Sequence, residues 1–157
     1  MSKVVLHIGG VYNDKVQAME RFVKNFQHLD DHVKSRIVLE NDEKNYTIED
    51  VLRLSAQLQI PVVFDVLHHQ INPPRDQDVS NVDWIYRARN TWNFTTDGRQ
   101  KIHYSQQKLG GKIGAHSYTI DVALFRMFYK TIQHLDLDIM LEVKDKNVSV
   151  LNCKASL

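Results

Sequence analysis

The sequence predicts an α/β protein of parallel βα units, a partial (β/α)8-type barrel, and three observations lead there. Strand-type runs dense in Val and Ile alternate with longer segments of helical period. Five of those runs finish on a side chain able to bind a metal: VVLHI around His7, RIVLE ending at Glu40, VVFD ending at Asp65, KIH ending at His103 and DIMLE ending at Glu142. These positions are 25 to 39 residues apart, each interval suited to one βα unit. In a parallel barrel the strand C-termini converge on one rim, so the five side chains are expected to meet in space. A closed barrel has eight strands in ~250 residues, so about five units fit this chain and roughly three, the first three, lie outside it.

The elements follow in order. A first strand over Val4 to Ile8 runs into Gly9 and Gly10, after which Asp14 caps a helix carrying Val16, Met19, Phe22, Val23 and Phe26 on one face. Strand Arg36 to Glu40 comes next. Thr47 with Asp50 resembles a capping box with a shortened carboxylate; Val51, Leu52, Leu54 and Leu58 form the apolar face behind it, and Pro61 stops the helix. Strand Val62 to Val66 follows directly. Leu67 to Arg99 is the least regular stretch, with Asn72-Pro73-Pro74 forcing a turn before a helix around Val82 to Asn90. After strand Lys101 to Tyr104, the segment with Gly110, Gly111 and Gly114 lacks the spacing of a phosphate loop and reads as a mobile βα loop. A helix near Ile120 to His134, strand Asp138 to Val143 and a short helix through Leu151 complete the chain. With no linker or low-complexity run, residues 1–157 read as a single portion of one domain.

Composition narrows the class. The formal net charge of +1 supplies no global field for nucleic acid or a membrane, so any basic surface must be local. Cys153 is the only cysteine, which rules out an internal disulfide or a thiolate cage, leaves nitrogen and oxygen ligands, and points to the cytoplasm. No apolar run approaches the ~20 residues that span a bilayer, and the run after Met1-Ser2-Lys3 is too short for a signal-peptide core.

Glu40, Asp65, His103 and Glu142 form a hard oxygen and imidazole set suited to Mn²⁺, Zn²⁺ or Mg²⁺. Any one acid at a strand end is commonly a turn residue or helix cap. Recurrence in successive units favours ligands, because an unpaired acid there costs several kcal/mol to desolvate. His68 and His69 would point to opposite sides of an extended segment, so His68 pairs with Asp65 while His69 supports the site or joins the core. His28, His32 and His134 are expected on the surface. Between Trp84 and Lys112, six basic residues (Arg87, Arg89, Arg99, Lys101, Lys108, Lys112) against Asp97 alone interleave with aromatics, a mixture suited to phosphates and stacked bases. A run of cations is more often a solvated face, and half of those aromatics are expected in helix core.

LHIGG, VLENDE, VVFDVLHHQINP, KIHYSQQ with His116 thirteen residues beyond His103, and MLEVKDK resemble the ultraviolet-damage endonuclease family nearly end to end. That family is similar in fold and metal centre to the endonuclease IV and xylose isomerase barrels. The resemblance implies that the chain corresponds to units four to eight, the C-terminal portion of an eight-unit barrel. It implies that Glu40 bridges two metals and that His7 belongs to the first, whose further histidine lies outside this chain. Asp65, His103 and Glu142 would complete the second with Glu40. His68 and His116 would hold a third, with Lys101 beside it where some members carry a carboxylated lysine. Glu40, Lys101 and Glu142 are then the residues expected in catalysis.

The implied activity is hydrolysis of a phosphodiester 5′ to ultraviolet photoproducts or abasic sites in double-stranded DNA, using up to three divalent ions, Mn²⁺ foremost. The segment outside the chain would supply the residues that probe damaged bases. Two other readings stand beside it. One is a sugar isomerase of the xylose isomerase type, which shares the Glu, Asp, His, Glu set; the His68 and His116 pair and the basic aromatic segment suit phosphodiester chemistry better. The other is a non-catalytic barrel fragment that self-associates or needs an N-terminal fragment to close its sheet.

Overall fold

The computed structural model describes residues 2–75 and 78–157. Five strands, β1 (Val4–Leu6), β2 (Ile37–Glu40), β3 (Val62–Asp65), β4 (Gln100–Tyr104) and β5 (Leu137–Leu141), form one sheet in sequence order, and every neighbouring pair is parallel. The described helices are α1 (Lys15–Gln27), α2 (Asp31–Lys34), α3 (Ile48–Leu58), α4 (Val66–Ile71), α5 (Asn81–Arg89), α6 (Phe94–Asp97), α7 (Val122–Ile132) and α8 (Asn147–Ala155). None of them is long and apolar enough to cross a membrane.

Side chains alternate along each strand, and the two faces differ. Ile37, Leu39, Val62, Phe64 and Ile102 enter the core that the helices close, together with Met19, Phe26, Leu54, Trp84, Ile85, Phe125 and Ile132. The other face carries Val38 and Glu40 on β2, Val63 and Asp65 on β3, and Lys101 and His103 on β4. The register is staggered, with Glu40 opposite Val63, Asp65 opposite His103 and His103 opposite Met140. Acidic and imidazole groups therefore climb from strand to strand along one rim.

The helix starts are fixed locally. Asp14 accepts from the Gln17 N–H, Thr47 and Asp50 make both halves of a capping box, and Ser80 and Asp121 cap α5 and α7. Gln59 ends α3 in the left-handed region at φ 56°, and Pro61 directly precedes β3.

Three local expectations change. The strand ending at Val66 stops at Asp65, because Asp65 caps α4; His68 and His69 are therefore helical and not extended. The stretch after Leu67 is largely helical, in α4, α5 and α6, although Asp76 and Gln77 lie outside the described residues. The glycine-rich loop is a stapled hairpin: Lys108 N–H donates to Ala115 O (2.7 Å) and Ser117 N–H to Gln106 O (2.8 Å). Gln107 ties its interior, donating to Lys112 O and accepting from Gly114 N–H, each at 2.8 Å.

Candidate metal centre

Glu40 is the hub. It is the last residue of β2 and buried, and its two oxygens accept from different imidazoles: Oε1 from His103 Nδ1 at 2.6 Å and Oε2 from His7 Nε2 at 2.9 Å. His7 follows β1 and His103 lies within β4, so three strands meet on one carboxylate. His103 Nδ1 is also 3.2 Å from Glu142 Oε1, just past β5.

Asp65 ends β3 and caps α4. Its Oδ1 accepts from His68 N–H at 2.7 Å, whereas Oδ2 is buried without a hydrogen-bond partner. Asn41, directly after Glu40, sutures the two strand ends: its side chain donates to Asp65 O at 3.0 Å and accepts from Asp65 N–H at 2.9 Å. Its own carbonyl accepts from His68 Nδ1 at 2.9 Å, which orients that ring. Sequence reading passed over Asn41, although a wholly buried amide at the end of an apolar strand must find such partners. It also passed over Glu43, whose Oε2 lies 3.8 Å from His68 Nε2.

Ligand atoms of Glu40, Asp65, His103 and Glu142 all lie within 4.8 Å of one another, and so do those of His7, Glu40 and His68. Two ion-sized groups thus share Glu40. His116 stands at the flank, its Nε2 3.8 Å from Glu142 Oε2 and its ring centroid 6.2 Å from that of His68. His68 is thus grouped with His7 and Glu40 while also facing His116, the partner that the resemblance implied.

Lys101 lies on the same sheet face as His103. One pleat below His103, it reaches its registered neighbour Asp138 on β5, Nζ to Oδ2 at 3.5 Å, and lies 5.8 Å from the Trp92 ring centroid. Its Nζ is thus directed to Asp138 and Trp92 in this structure.

The electrostatics suit a cation. Burial pushes the Glu40 carboxyl up, but the hydrogen bonds from His103 and His7 overrule it and pull the pKa to about 2. Burial foremost pushes Asp65 up to about 6, against the pull of His68, with Glu40 and Glu142 adding to the rise. His7 is raised, first by its hydrogen bond to Glu40. Burial opposes the charged form of His103, yet Glu40, Glu142 and Asp65 hold it above the ordinary range. Three carboxylates and a partnerless Asp65 oxygen in so small a space call for positive charge, and hard oxygen and nitrogen donors fit a divalent ion.

The other histidines and cations disperse. His69 packs into the core against Phe64 (centroids 5.0 Å apart) and Trp84 (6.2 Å), and burial lowers its pKa. His28, His32 and His134 are exposed as expected. The Trp84 to Lys112 segment is no single basic surface: Arg87 covers the buried Trp84 ring and Arg99 pairs with Asp136 and Asp138. Trp92 donates to Val62 O at the opposite end of β3 from Asp65. Lys108 and Lys112 are exposed on the hairpin, whose Gln107 pairs with His116.

Comparison with known proteins matches residues 1–157 to the family described as UV-endonuclease UvdE. A UV DNA damage endonuclease of Clostridium perfringens (strain 13 / Type A) is 44% identical over 156 residues, which are 99% of this chain and 37% of that protein. One of Bacillus velezensis is 35% identical over 152 residues, 96% of this chain and 47% of the relative. The solved structure titled "Crystal Structure of SacUVDE" superposes with a TM-score of 0.86 at 38% identity, covering 96% of this chain and 49% of the other. The chain thus spans under half the length of these proteins.

Proposed function

The chain belongs to the UV-endonuclease UvdE family, and from that premise we propose that it carries most of the metal site of a DNA repair endonuclease. The reaction is hydrolysis of a phosphodiester 5′ to ultraviolet photoproducts or abasic sites in double-stranded DNA. The observation that carries this reading is Glu40, shared between the His7, His68 group and the Asp65, His103, Glu142 group.

Those residues would hold the ions, Mn²⁺ foremost, with His116 beside Glu142 serving a further one. Divalent ions held there would supply Lewis-acid stabilisation of the phosphate and a more acidic water. The chain's own groups do the rest. Glu40 fixes the spacing between the two groups, Asn41 and the α4 start hold Asp65 and His68 in place, and buried walls of Val38 and Val63 keep bulk water from beneath the site. Lys108 and Lys112 contact phosphates. Further barrel units, from the same polypeptide or a partner, complete the rim next to His7 and Glu142. A free, buried Cys153 accords with a reducing compartment such as the cytoplasm.

The test is nicking of ultraviolet-irradiated against unirradiated plasmid with Mn²⁺. It is run on this chain and on this chain extended by the N-terminal segment of its C. perfringens relative. The extended protein should nick irradiated plasmid alone and stop when the metal is chelated. Absence of damage-specific nicking by the extended protein with Mn²⁺, Zn²⁺ or Mg²⁺ would overturn the reading.

A further inference from the structure

A further carboxylate, Glu43, stands beside the metal centre, three residues after Glu40 in the loop between β2 and α3. Asp42 turns that loop. Its Oδ1 accepts from Lys44 N–H at 2.9 Å, from Asn45 N–H and from Tyr46 N–H at 3.0 Å, while its own N–H donates to Tyr46 O at 2.9 Å. Asn72, the C-cap of α4, donates to Asp42 O at 3.0 Å and ties the loop to the helix that carries His68. On the other side Gly114 leaves room, since a Cβ there would come within 2.9 Å of Glu43 Cγ. The Glu43 side chain is thus set between α4 and a hairpin position two residues before His116.

His68 is only 7% exposed, and its two ring nitrogens face different partners. Nδ1 lies 2.9 Å from Asn41 O, a carbonyl that can only accept, so Nδ1 carries the proton and Nε2 presents a lone pair. Nε2 in turn is 3.8 Å from Glu43 Oε2. That gap is too long for a hydrogen bond and sets two electron-rich atoms against each other. Two ligand atoms on one ion, each ~2.1 Å from it, lie at most ~4.2 Å apart, so a divalent cation closes such a span. The His116 ring lies on the same flank, its centroid 6.2 Å from that of His68.

We propose that Glu43 is a carboxylate ligand of the ion that His68 takes through Nε2, on the side of the site facing His116. The proposal rests on the metal-centre reading above and adds a donor to it. His68 and His116 are neutral imidazoles when they ligate, and affinity for a hard cation rises with the charge of its ligands. Glu43 supplies that charge without drawing on Glu40, Asp65 or Glu142, which belong to the groups already described. One carboxylate and two imidazoles then form a donor set suited to Mn²⁺ or Zn²⁺.

Mn²⁺ content after equilibrium dialysis and calorimetric titration test this on the 157-residue protein and its variants. E43Q keeps the shape of the side chain and removes its charge. It should weaken one Mn²⁺ binding step by about tenfold or more, leave the steps that depend on Glu40 within about twofold, and keep the metal-free melting temperature of the parent. E43D, its carboxylate drawn back by one methylene, should weaken the same step in part. H68A should abolish that step, and E43Q/H68A should bind as H68A does, because both residues serve one ion; an acid acting only through its field would weaken H68A further. With Co²⁺ in place of Mn²⁺, the visible absorption at equal occupancy should differ between parent and E43Q as a ligand is lost. If metal-free E43Q does not melt cooperatively, E43D carries the same comparisons. An E43Q with the parent's Mn²⁺ affinity and Co²⁺ spectrum, or one that weakens every step alike, would overturn the assignment and leave the metal centre standing. A parent that takes up no divalent ion would sink both.

Discussion

Glu40 Oε1 and Oε2 each hold a different imidazole, and this division sets the pH behaviour of the site. The depressed Glu40 pKa contributes stability that is present above its ordinary value of 4.5 and is lost as pH falls toward about 2. The raised histidines contribute stability present below 6.5 and lost as pH rises through their folded values. Asp65 runs the other way. Its raised pKa withdraws stability as pH climbs from 3.8 through about 6, when its buried carboxyl must ionise. The metal-free chain should therefore melt at lower temperature at pH 8 than at pH 5.5, and Mn²⁺ should reverse that order, as thermal scans with and without chelator will read. Calorimetric titration should show protons released on binding and affinity falling as pH drops below about 6. Glu40→Gln keeps the shape but removes the shared charge, and it should weaken Mn²⁺ binding by more than about tenfold. His69→Ala should leave binding within about twofold and act on stability, at a cost of about 1–3 kcal/mol by denaturant unfolding, since that ring packs only against core aromatics.

At the scale of elements, what sequence revealed and what it hid have distinct physical causes. Strand ends were legible because a buried parallel strand is an apolar run, and an acid or histidine terminating it is conspicuous. The α4 start was hidden, since a helix beginning directly at Asp65 leaves no loop to signal it; only the Asp65 side chain bonding His68 N–H marks the boundary. The partner of Lys101 was not legible in its own strand, because the β4–β5 register is what sets Asp138 beside it. The Trp84 to Lys112 cations are close in sequence yet spread from α5 to opposite ends of β4, which composition alone does not reveal. Asn41 was silent because its role lies wholly in pairing with the Asp65 backbone, 24 residues away. Asn41→Ala would leave both of those Asp65 groups unsatisfied, and should cost about 1–3 kcal/mol of stability in denaturant unfolding while also weakening Mn²⁺ binding.

The whole molecule is an open parallel sheet, and parallel sheets are ordinarily covered on both faces and closed or flanked at their edges. Here β1 and β5 lie at the two ends of the order, with Val4 51% and Met140 55% exposed, while Val38 and Val63 between them are fully buried. The centre of the sheet is covered and its two edge strands are partly exposed. His7 and Glu142 stand on those same two ends, so the further barrel units proposed above would close the sheet and complete the metal site together. The isolated chain should therefore show concentration-dependent association in sedimentation velocity, bind a hydrophobic dye, and take up fewer Mn²⁺ ions than the extended protein. Extension by the N-terminal units of a relative should make the protein monomeric, remove the dye signal and raise the melting temperature with the added ion. A stable monomer of the 157 residues alone, dye-silent and matching the extended protein in metal stoichiometry and in damage-specific nicking, would break this link between closure and catalysis. In that case these five strands would carry a sufficient site on their own.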